Sequence, residues 1–286
     1  MKRTTLKKSR HLRRHTKPTT SAVNRGRHPD PEIVGSVQTN RKEAQWTDII
    51  PVGQWANYRL AMEAAHNAGI PFLLGGGFGL AVFTGRWRNT KDIDFYILPR
   101  DREAMIAALS NIGFVDYFDR RPYDPGWIYR STKDNIIVDI IWSMANRRAQ
   151  VDELWFEHAR TVVLRDETIK IVPAEELLWC KLYIMQRDHC DWTDIFNLLY
   201  AVGPELDWDR LIARLGEDLP LLKAALTVYG WLCPERAAQL PFKLRKQLHL
   251  TSTHGEIEDC RGDRIKLLDS RAWFAPFQPR DKYLEV

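Results

Sequence analysis

Two apolar segments of this chain are interrupted by aspartates at positions where a buried strand would carry valine or isoleucine. In DIDFYIL, Asp92 and Asp94 alternate with Ile93 and Phe95, and in NIIVDIIW the apolar run is broken by Asp139. Residues i and i+2 of a strand share a face, so the first two carboxylates would lie side by side while Ile93 and Phe95 face a core. Because like charges beside apolar groups resist burial, the pattern predicts strands that hold carboxylates around a cation.

A glycine-rich turn precedes the first of these segments and follows another apolar run, in the sequence FLLGGGFGL. Gly75, Gly76 and Gly77 would let backbone amides at the start of a helix approach an anion closely. A P-loop is excluded, since no Gly-Lys pair occurs in the chain, and a dinucleotide fingerprint is excluded because large apolar residues occupy its third small position. We interpret the turn as a triphosphate cradle that shares a metal ion with Asp92 and Asp94.

The three aspartates suit divalent-cation chemistry, because Mg²⁺ prefers hard oxygen ligands from carboxylates, phosphates and water. If the strands of Asp94 and Asp139 are neighbours, the carboxylates converge as in phosphoryl transfer with two metal ions about 3.5–4 Å apart. Asp139 is also a candidate acceptor for the proton of the attacking hydroxyl. The competing interpretations are an exposed edge strand for Asp92 and Asp94, and a solvent-facing strand end for Asp139.

The spacing Asp-x-Asp is a weak signal by itself, and the chain contains its own control. Asp207-Trp-Asp209 has the same spacing but precedes a segment of helical periodicity. There we predict that Asp207 caps the helix N-terminus. The apolar strand and the preceding glycine turn therefore distinguish the first pair.

Strands and helices alternate up to about residue 172, and a mostly helical section follows. Helices are predicted to end at Gly69 and Gly113, and TVVLRDETIKIV is predicted to form a hairpin that turns at Asp166–Glu167. RRAQVDELWFEHAR and PAEELLWCKLYIMQR are predicted to be helices. The sequence thus predicts an α/β (α+β) fold, a mixed sheet flanked by helices. The expected division is a disordered basic tail (1–45), a catalytic domain (46–172), a helical C-terminal region (173–240) and an extension without an assigned role (241–286).

The positive charge of the chain is concentrated at its start. Residues 1–42 carry 12 lysines and arginines against two acidic residues, a charge of +10, whereas the whole chain carries +5 and the remainder therefore −5. Few apolar residues and no periodicity indicate disorder. Three interpretations of this tail remain open: a solvated leader without a partner, an arm that attracts nucleic acid by releasing counterions, and an organellar transit peptide.

The remaining bulk features favour a cytoplasmic protein. No apolar run reaches the roughly 18 residues of a membrane span, and no apolar segment of a secretory signal follows the basic start. The four cysteines form no CxxC pair and show no metal-ligand spacing, which favours reduced thiols.

On these residues the chain resembles the nucleotidyltransferase superfamily, which has the polymerase-beta-like fold. Its signature is an apolar residue, Gly, Gly or Ser, a gap, Asp-x-Asp on a strand, and a third acid on a later strand. Here these are the run from Leu74 to Gly77, Asp92 and Asp94, and Asp139. The run RNTKDIDF is typical of smaller bacterial members, which include aminoglycoside nucleotidyltransferases and toxins of abortive-infection type. Over roughly residues 70–200, the resemblance implies catalytic and metal-binding roles for the three aspartates.

A second block, VPAEELLWCKLYIMQRDHCDWTDIFNLL, resembles a helical segment of small nucleotidyltransferases. The resemblance implies that Lys181 reaches the triphosphate, and that Arg187, Asp191 and Asp194 form a supporting ion network. In physical terms, cations on an otherwise apolar helix need partners, and either phosphates or the two aspartates would serve. Two further arginines near the glycine turn either contact phosphates or are solvated. The predicted nucleotide-binding set is Gly75, Gly76, Gly77, Arg86, Arg88, Lys181, Arg187 and Asp191.

The resemblance implies a Mg²⁺-dependent enzyme with two ions that transfers a nucleoside monophosphate from an NTP such as ATP to a hydroxyl and releases pyrophosphate. Acceptors in the superfamily include aminoglycosides, tRNA 3′ ends and proteins, and the basic tail favours tRNA or other RNA. The expected partners are the NTP, RNA and an antitoxin or other protein, with no membrane. The alternative is a catalytically silent nucleotide-binding or interaction module of the same fold, against which the intact set of three acids argues.

Overall fold

The structure is a computed structural model, and it describes residues 46–87, 90, 92–187, 189–250, 264 and 267. The predicted disordered tail, Arg88, Cys260 and most of the C-terminal extension lie outside these residues. The strands are β1 (Leu73–Leu74), β2 (Asp92–Tyr96), β3 (Val115–Asp116), β4 (Ile128–Lys133), β5 (Ile136–Ile141), β6 (Arg160–Leu164) and β7 (Glu167–Ile171). The helices are α1 (Val52–Asn67), α2 (Gly76–Thr84), α3 (Arg102–Asn111), α4 (Glu153–Glu157), α5 (Ala174–Leu182), α6 (Trp192–Val202), α7 (Trp208–Leu215), α8 (Leu219–Leu232), α9 (Pro234–Ala238) and α10 (Phe242–Gln247).

The described strands form one mixed sheet in the order β3-β4-β5-β2-β1-β7-β6. Strand β2 lies at the centre, parallel to β5 on one side and antiparallel to β1 on the other. Strand β1 is in turn parallel to β7, and the β3–β4, β4–β5 and β6–β7 pairs are antiparallel. The predicted fold class, a mixed sheet with flanking helices followed by a helical region, is confirmed.

The two faces of β2 have different surroundings, as the two-residue period of a strand requires. Ile93 and Phe95 are fully buried in a core shared with α1 and α3. Asp92, Asp94 and Tyr96 lie on the other face, where Tyr96 joins a second core with α5, α6, α7 and α8. The aspartates at the start of the strand are only partly buried. One strand thus contributes to two cores and presents carboxylates at one end of a single face.

The predicted helix ends at glycines are confirmed. Gly69 follows α1 and Gly113 follows α3, with φ angles of 68° and 88°, and Gly85 closes α2 with a φ of 67°. These left-handed conformations suit glycine, which has no Cβ to clash with the backbone.

The predicted helix in RRAQVDELWFEHAR is wrong over its first half. Only Glu153–Glu157 is helical, because the residues before it form a turn that is closed by the antiparallel β-bridge of Ser143 and Gln150, with a positive φ at Arg147. Asp152 then caps the helix by accepting a hydrogen bond from the amide of Leu154 at 3.0 Å. This local turn replaces the first half of the predicted helix.

Two further boundaries differ from the prediction. The β6–β7 hairpin turns at Arg165 and Asp166, one residue earlier than predicted, and both residues have positive φ angles. Helix α5 ends at Leu182 rather than near residue 187, since Met185 and Cys190 form a β-bridge in the following loop.

The control pair at Asp207 and Asp209 has the predicted structural role. Asp207 caps α7, with its carboxylate accepting from the amide of Arg210 at 3.0 Å. Asp209 is exposed and accepts from the Lys243 ammonium at 2.8 and 2.9 Å. The same spacing therefore produces a helix cap here and a pair of strand carboxylates at Asp92 and Asp94.

Among the described helices, none combines the length and the apolar character that crossing a bilayer requires. In the same part of the chain Cys180 and Cys190 are free cysteines.

Candidate active site

Neighbouring central strands bring the predicted carboxylates together. In the parallel pair of β2 and β5, Asp94 lies directly opposite Asp139, and Asp92 lies opposite Ile137. Adjacent strands are about 4.8 Å apart, so Asp94 and Asp139 are side-by-side neighbours on one face. Asp139 is 2% exposed, whereas Asp92 and Asp94 are partly exposed. The strand adjacency that the sequence hypothesis required is present.

Nearby cations offset only part of the burial and mutual repulsion of these carboxylates. Burial raises the pKa of Asp94 well above its usual range, and the charges of Asp139 and Asp92 raise it further. Lys181 and Arg130 act in the opposite direction. The pKa of Asp139 is also raised by burial, although its hydrogen bonds from Arg130 partly offset the effect. Such a cluster favours the approach of a cation.

Arg130 is a site residue that the sequence analysis missed. It lies on β4 directly opposite Asp139, and its guanidinium donates two hydrogen bonds, from Nε to Oδ1 at 2.7 Å and from Nη2 to Oδ2 at 2.5 Å. The segment WIYRS was predicted to be a strand, but only the register of the β4–β5 pair reveals which β5 side chain its arginine faces.

The glycine turn packs against the backbone and the carboxylate of Asp94. The amide of Gly75 donates to the Asp94 carbonyl at 3.1 Å. Gly76 has a φ of 52°, and a Cβ at this position would lie 1.7 Å from Asp94 Oδ2. A Cβ at Gly77 would meet only a Thr90 methyl group at 3.6 Å. The turn therefore places the first-turn amides of α2, which have no acceptor inside the helix, beside the carboxylates.

Helix α1 supports the start of β2 through two polar side chains that the sequence analysis also missed. The Tyr58 hydroxyl donates to the Asp92 carbonyl at 3.2 Å and accepts from Gln54 Nε2 at 2.6 Å. Gln54 Nε2 also donates to the Thr90 carbonyl at 2.6 Å. Burial raises the pKa of Tyr58 above its usual value, so the hydroxyl stays a neutral donor. These bonds fix the backbone that carries the Asp92 and Asp94 side chains.

Lys181 lies in a buried ion network at the end of α5. Its ammonium donates to Asp191 Oδ2 and to Asp194 Oδ2, both at 2.7 Å. Burial alone would lower the pKa of Lys181, but the two aspartates outweigh burial and raise it. On its exposed side, Asp191 Oδ1 lies 2.9 Å from His189 Nε2. Because an ammonium has three N–H donors, one remains for a further acceptor.

The remaining predicted phosphate contacts are dispersed. Arg86 is half-buried and donates from Nη1 to Asn197 Oδ1 at 2.8 Å, which joins the end of α2 to α6. Arg187 is exposed on the connection between α5 and α6, and Arg88 lies outside the described residues. The structure thus brings the aspartates and the glycine turn together, with the Lys181 ammonium near enough for its charge to lower the pKa of Asp94.

The glutamates of the PAEELL motif serve a different network. Glu176 is fully buried and accepts from Arg210 Nη1 at 3.1 and 3.2 Å, while Glu175 Oε2 accepts from Arg210 Nη2 at 2.5 Å. Arg214 Nη1 bonds Asp152 Oδ2 at 2.5 Å. Burial raises the pKa of Glu176 to about 7. These residues attach α5 to α7 and to the start of α4.

The donor chemistry fits a magnesium ion at two of the three aspartates. Asp92 and Asp94 supply hard oxygen donors next to the Gly76 turn, where the absence of a Cβ leaves room. Both oxygens of Asp139 are hydrogen-bonded to Arg130. In the described part of the chain, no group of three or more His, Cys, Asp or Glu side chains is arranged to hold a metal ion. Water and substrate phosphates would complete the coordination.

The sequence of this chain matches a known protein family over more than half of its length. The sequence model of a family described as "Uncharacterised nucleotidyltransferase" matches residues 53–233, which include every site residue described above. No curated protein sequence matches the chain.

Three solved structures illustrate the similarity. The antibiotic-resistance factor ANT(2″)-Ia is 17% identical with a TM-score of 0.43, covering 61% of this chain and 95% of its own. The lincomycin-bound lincosamide antibiotic adenylyltransferase LnuA is 19% identical with a TM-score of 0.38, covering 52% and 96%. JHP933 from Helicobacter pylori is 15% identical with a TM-score of 0.35, covering 77% and 99%. Since the family match spans more than half of its length, this chain belongs to the family of uncharacterised nucleotidyltransferases.

Proposed function

We propose that this protein transfers a nucleoside monophosphate from an NTP to a hydroxyl acceptor and releases pyrophosphate, in a reaction that depends on Mg²⁺. The observation that carries the proposal is the in-register pair of Asp94 and Asp139 on β2 and β5, beside a turn in which Gly76 lies against Asp94. A cluster of carboxylates next to free helix amides suits a metal–polyphosphate ligand.

In this proposal the polyphosphate lies along the first turn of α2, with ATP as the expected nucleotide. The amides of Gly76 and Gly77 donate to phosphate oxygens, and Asp92 and Asp94 hold the magnesium ion. Lys181, positioned by Asp191 and Asp194, directs its third N–H toward the nucleotide. Further phosphate contacts are predicted for Arg86, Arg88 and Arg187, whereas Gly75 holds the turn in place through its amide, which donates to the Asp94 carbonyl. When bound, the ion supplies charge neutralisation at the phosphates.

The chemical step is an in-line displacement at the α-phosphorus. The acceptor oxygen forms a bond to the α-phosphorus while the bond from this phosphorus to the oxygen that bridges to the β-phosphate breaks. Pyrophosphate leaves with the bonding electron pair. The hydroxyl proton passes to a carboxylate oxygen of Asp139, because each oxygen has a second lone pair beyond its Arg130 hydrogen bond.

Metal-dependent NTP binding by the full-length protein tests the site. Isothermal titration of ATP with and without Mg²⁺ should show binding only with the metal, and Asp94→Asn should abolish it. Asp209→Asn is the matched control, since this exposed aspartate has the same sequence spacing and should leave binding unchanged. Binding that needs no metal and survives Asp94→Asn would favour the silent nucleotide-binding module instead.

The acceptor class is tested separately. The basic tail, with its 12 lysines and arginines in residues 1–42, favours RNA, which binds such segments by counterion release. NTPs labelled at the α-phosphate would be incubated with total tRNA and, in parallel, with aminoglycoside and lincosamide antibiotics. Label in tRNA supports the proposal, whereas label in an antibiotic would overturn the RNA acceptor and retain the transferase.

A further inference from the structure

We propose that Arg130 takes the place of a second metal ion at Asp139, so that the site holds one divalent cation at Asp92 and Asp94 instead of two. This inference rests on the proposed function and changes its expected metal count. It makes Arg130 a fixed cationic component of the site.

The geometry of the sheet fixes the pair of Arg130 and Asp139. The two residues are direct cross-strand partners on β4 and β5, and the guanidinium meets the carboxylate with two hydrogen bonds of 2.7 and 2.5 Å. On its other side, the carbonyl of Arg130 accepts from the amide of Tyr117 at 2.9 Å. Arg130 is thus anchored in the sheet between two neighbours, and both oxygens of Asp139 face a permanent positive charge.

Charge disfavours a second divalent ion in this position. The Asp139 side chain is 2% exposed and that of Arg130 is 25% exposed, so water screens the guanidinium poorly. A metal ion bound to Asp139 would have to displace the guanidinium or lie directly beside it. The free lone pairs of Asp139 can accept a proton from a neutral hydroxyl, which brings no such repulsion.

The charge environment of Asp92 and Asp94 differs from that of Asp139. Within the described residues, no arginine or lysine forms a salt bridge with either carboxylate, and both are partly exposed. With one carboxylate neutralised by Arg130, the two remaining negative charges match one divalent cation. The nucleotide phosphates then share that ion.

Counting bound manganese tests the proposal on the full-length protein. Mn²⁺ is titrated in the presence of saturating α,β-methylene ATP, which cannot be cleaved at the reacting bond, and electron paramagnetic resonance reports free and bound Mn²⁺. We expect one bound ion per chain in the wild type. The Arg130→Gln variant, in which Asp139 loses its cationic partner, should bind two Mn²⁺ ions that show the spin coupling of a close pair. The double variant Arg130→Gln with Asp139→Asn should again bind one ion.

Three further variants serve as controls for the number of bound ions. Arg130→Lys keeps the charge and should bind one ion, and Arg148→Gln, which removes an exposed arginine paired with Glu217, should also bind one. Asp139→Asn alone should retain its ion with less than about a tenfold loss of affinity, smaller than expected for removal of a metal ligand. This variant also tests the proposal if Arg130→Gln fails to fold.

The outcomes separate this inference from the proposed function. Two coupled ions in the wild type, or one ion in a folded Arg130→Gln variant, would overturn the role of Arg130 while the metal-dependent transferase stands. No nucleotide-dependent Mn²⁺ binding in any variant would overturn the proposed function and this inference together.

Discussion

At the scale of single residues, Gly76 is the position with the least freedom in the site. Its φ of 52° and the 1.7 Å approach of a hypothetical Cβ to Asp94 Oδ2 each require glycine. Gly77, the next residue, has neither constraint. The structure therefore requires glycine at position 76 but not at position 77, and the two adjacent positions form a matched pair for mutation.

Gly76→Ala should displace the Asp94 carboxylate and strain the backbone, lowering the free energy of unfolding by about 1–3 kcal/mol. Misplacement of the carboxylate should reduce the transfer rate by about 100-fold. Gly77→Ala should leave the rate near that of the wild type and raise the unfolding free energy by up to about 1 kcal/mol, through helix propensity. Urea denaturation and initial rates measure both effects, and equal rates for the two variants would contradict the assigned role of Gly76.

Lys181 is a second residue whose substitution should strongly lower the free energy of unfolding. Lys181→Met would leave Asp191 and Asp194 buried without their shared cation, which should lower the unfolding free energy by about 3–5 kcal/mol. The control is Lys243→Met, which breaks an exposed pair with Asp209 and should cost less than about 1 kcal/mol. Urea denaturation at pH 7 compares the variants, and similar losses would show that burial does not set the strength of these pairs.

At the scale of elements, the attachment of α5 to α7 depends on a buried carboxylate. Glu176 is fully buried next to Arg210, and burial raises its pKa from 4.5 to about 7. A carboxyl group whose pKa is higher in the folded state binds its proton more tightly there. Its contribution to stability is therefore complete below about pH 4.5 and is lost as the pH rises through 7.

The stability difference between Glu176→Gln and wild type should depend on pH. Glutamine needs no proton to remain neutral, so the variant should gain up to about 3 kcal/mol relative to wild type between pH 4.5 and pH 8. Glu217→Gln, at an exposed glutamate paired with Arg148, should change by less than about 0.5 kcal/mol over this range. Denaturation series at several pH values measure both differences. If the unfolding free energy of Glu176→Gln relative to wild type fell with rising pH, this result would contradict the raised pKa.

At the scale of the whole molecule, the candidate site and the basic tail are separate parts of the chain. The described site residues lie between Gln54 and Asp194, within the 53–233 family match, whereas the excess positive charge lies in residues 1–42. Nucleotide binding and RNA attraction are therefore predicted to be separable by deletion.

Removal of residues 1–42 should leave Mg²⁺-dependent ATP binding unchanged, because the tail supplies none of the described site. If RNA is the acceptor, labelling of tRNA should fall by about tenfold or more near 0.15 M salt and recover partly at lower salt. Titration calorimetry and labelling assays measure the two effects. Undiminished tRNA labelling would refute the tail as an RNA arm, and lost ATP binding would show that the site extends beyond the described region.

Local sequence determined the elements of this protein and much of its candidate site. The alternation of Asp92 and Asp94 with Ile93 and Phe95 predicted a strand with two different faces, and glycines marked the helix ends, because both signals depend only on neighbouring residues. The motif around Gly76 and the three aspartates is enough to indicate the family, because it consists of residue types at fixed spacings.

Only the tertiary structure decided which side chains meet. The pairing of β5 with both β2 and β4 sets Asp139 between Asp94 and Arg130. The two-residue turn at Asp134 and Asn135 sets the register of β4 with β5, whereas no local signal encodes the register of β2 with β5, which are joined by a long connection. Periodicity specifies what one segment can form, whereas the burial of its apolar face against distant segments selects its partners.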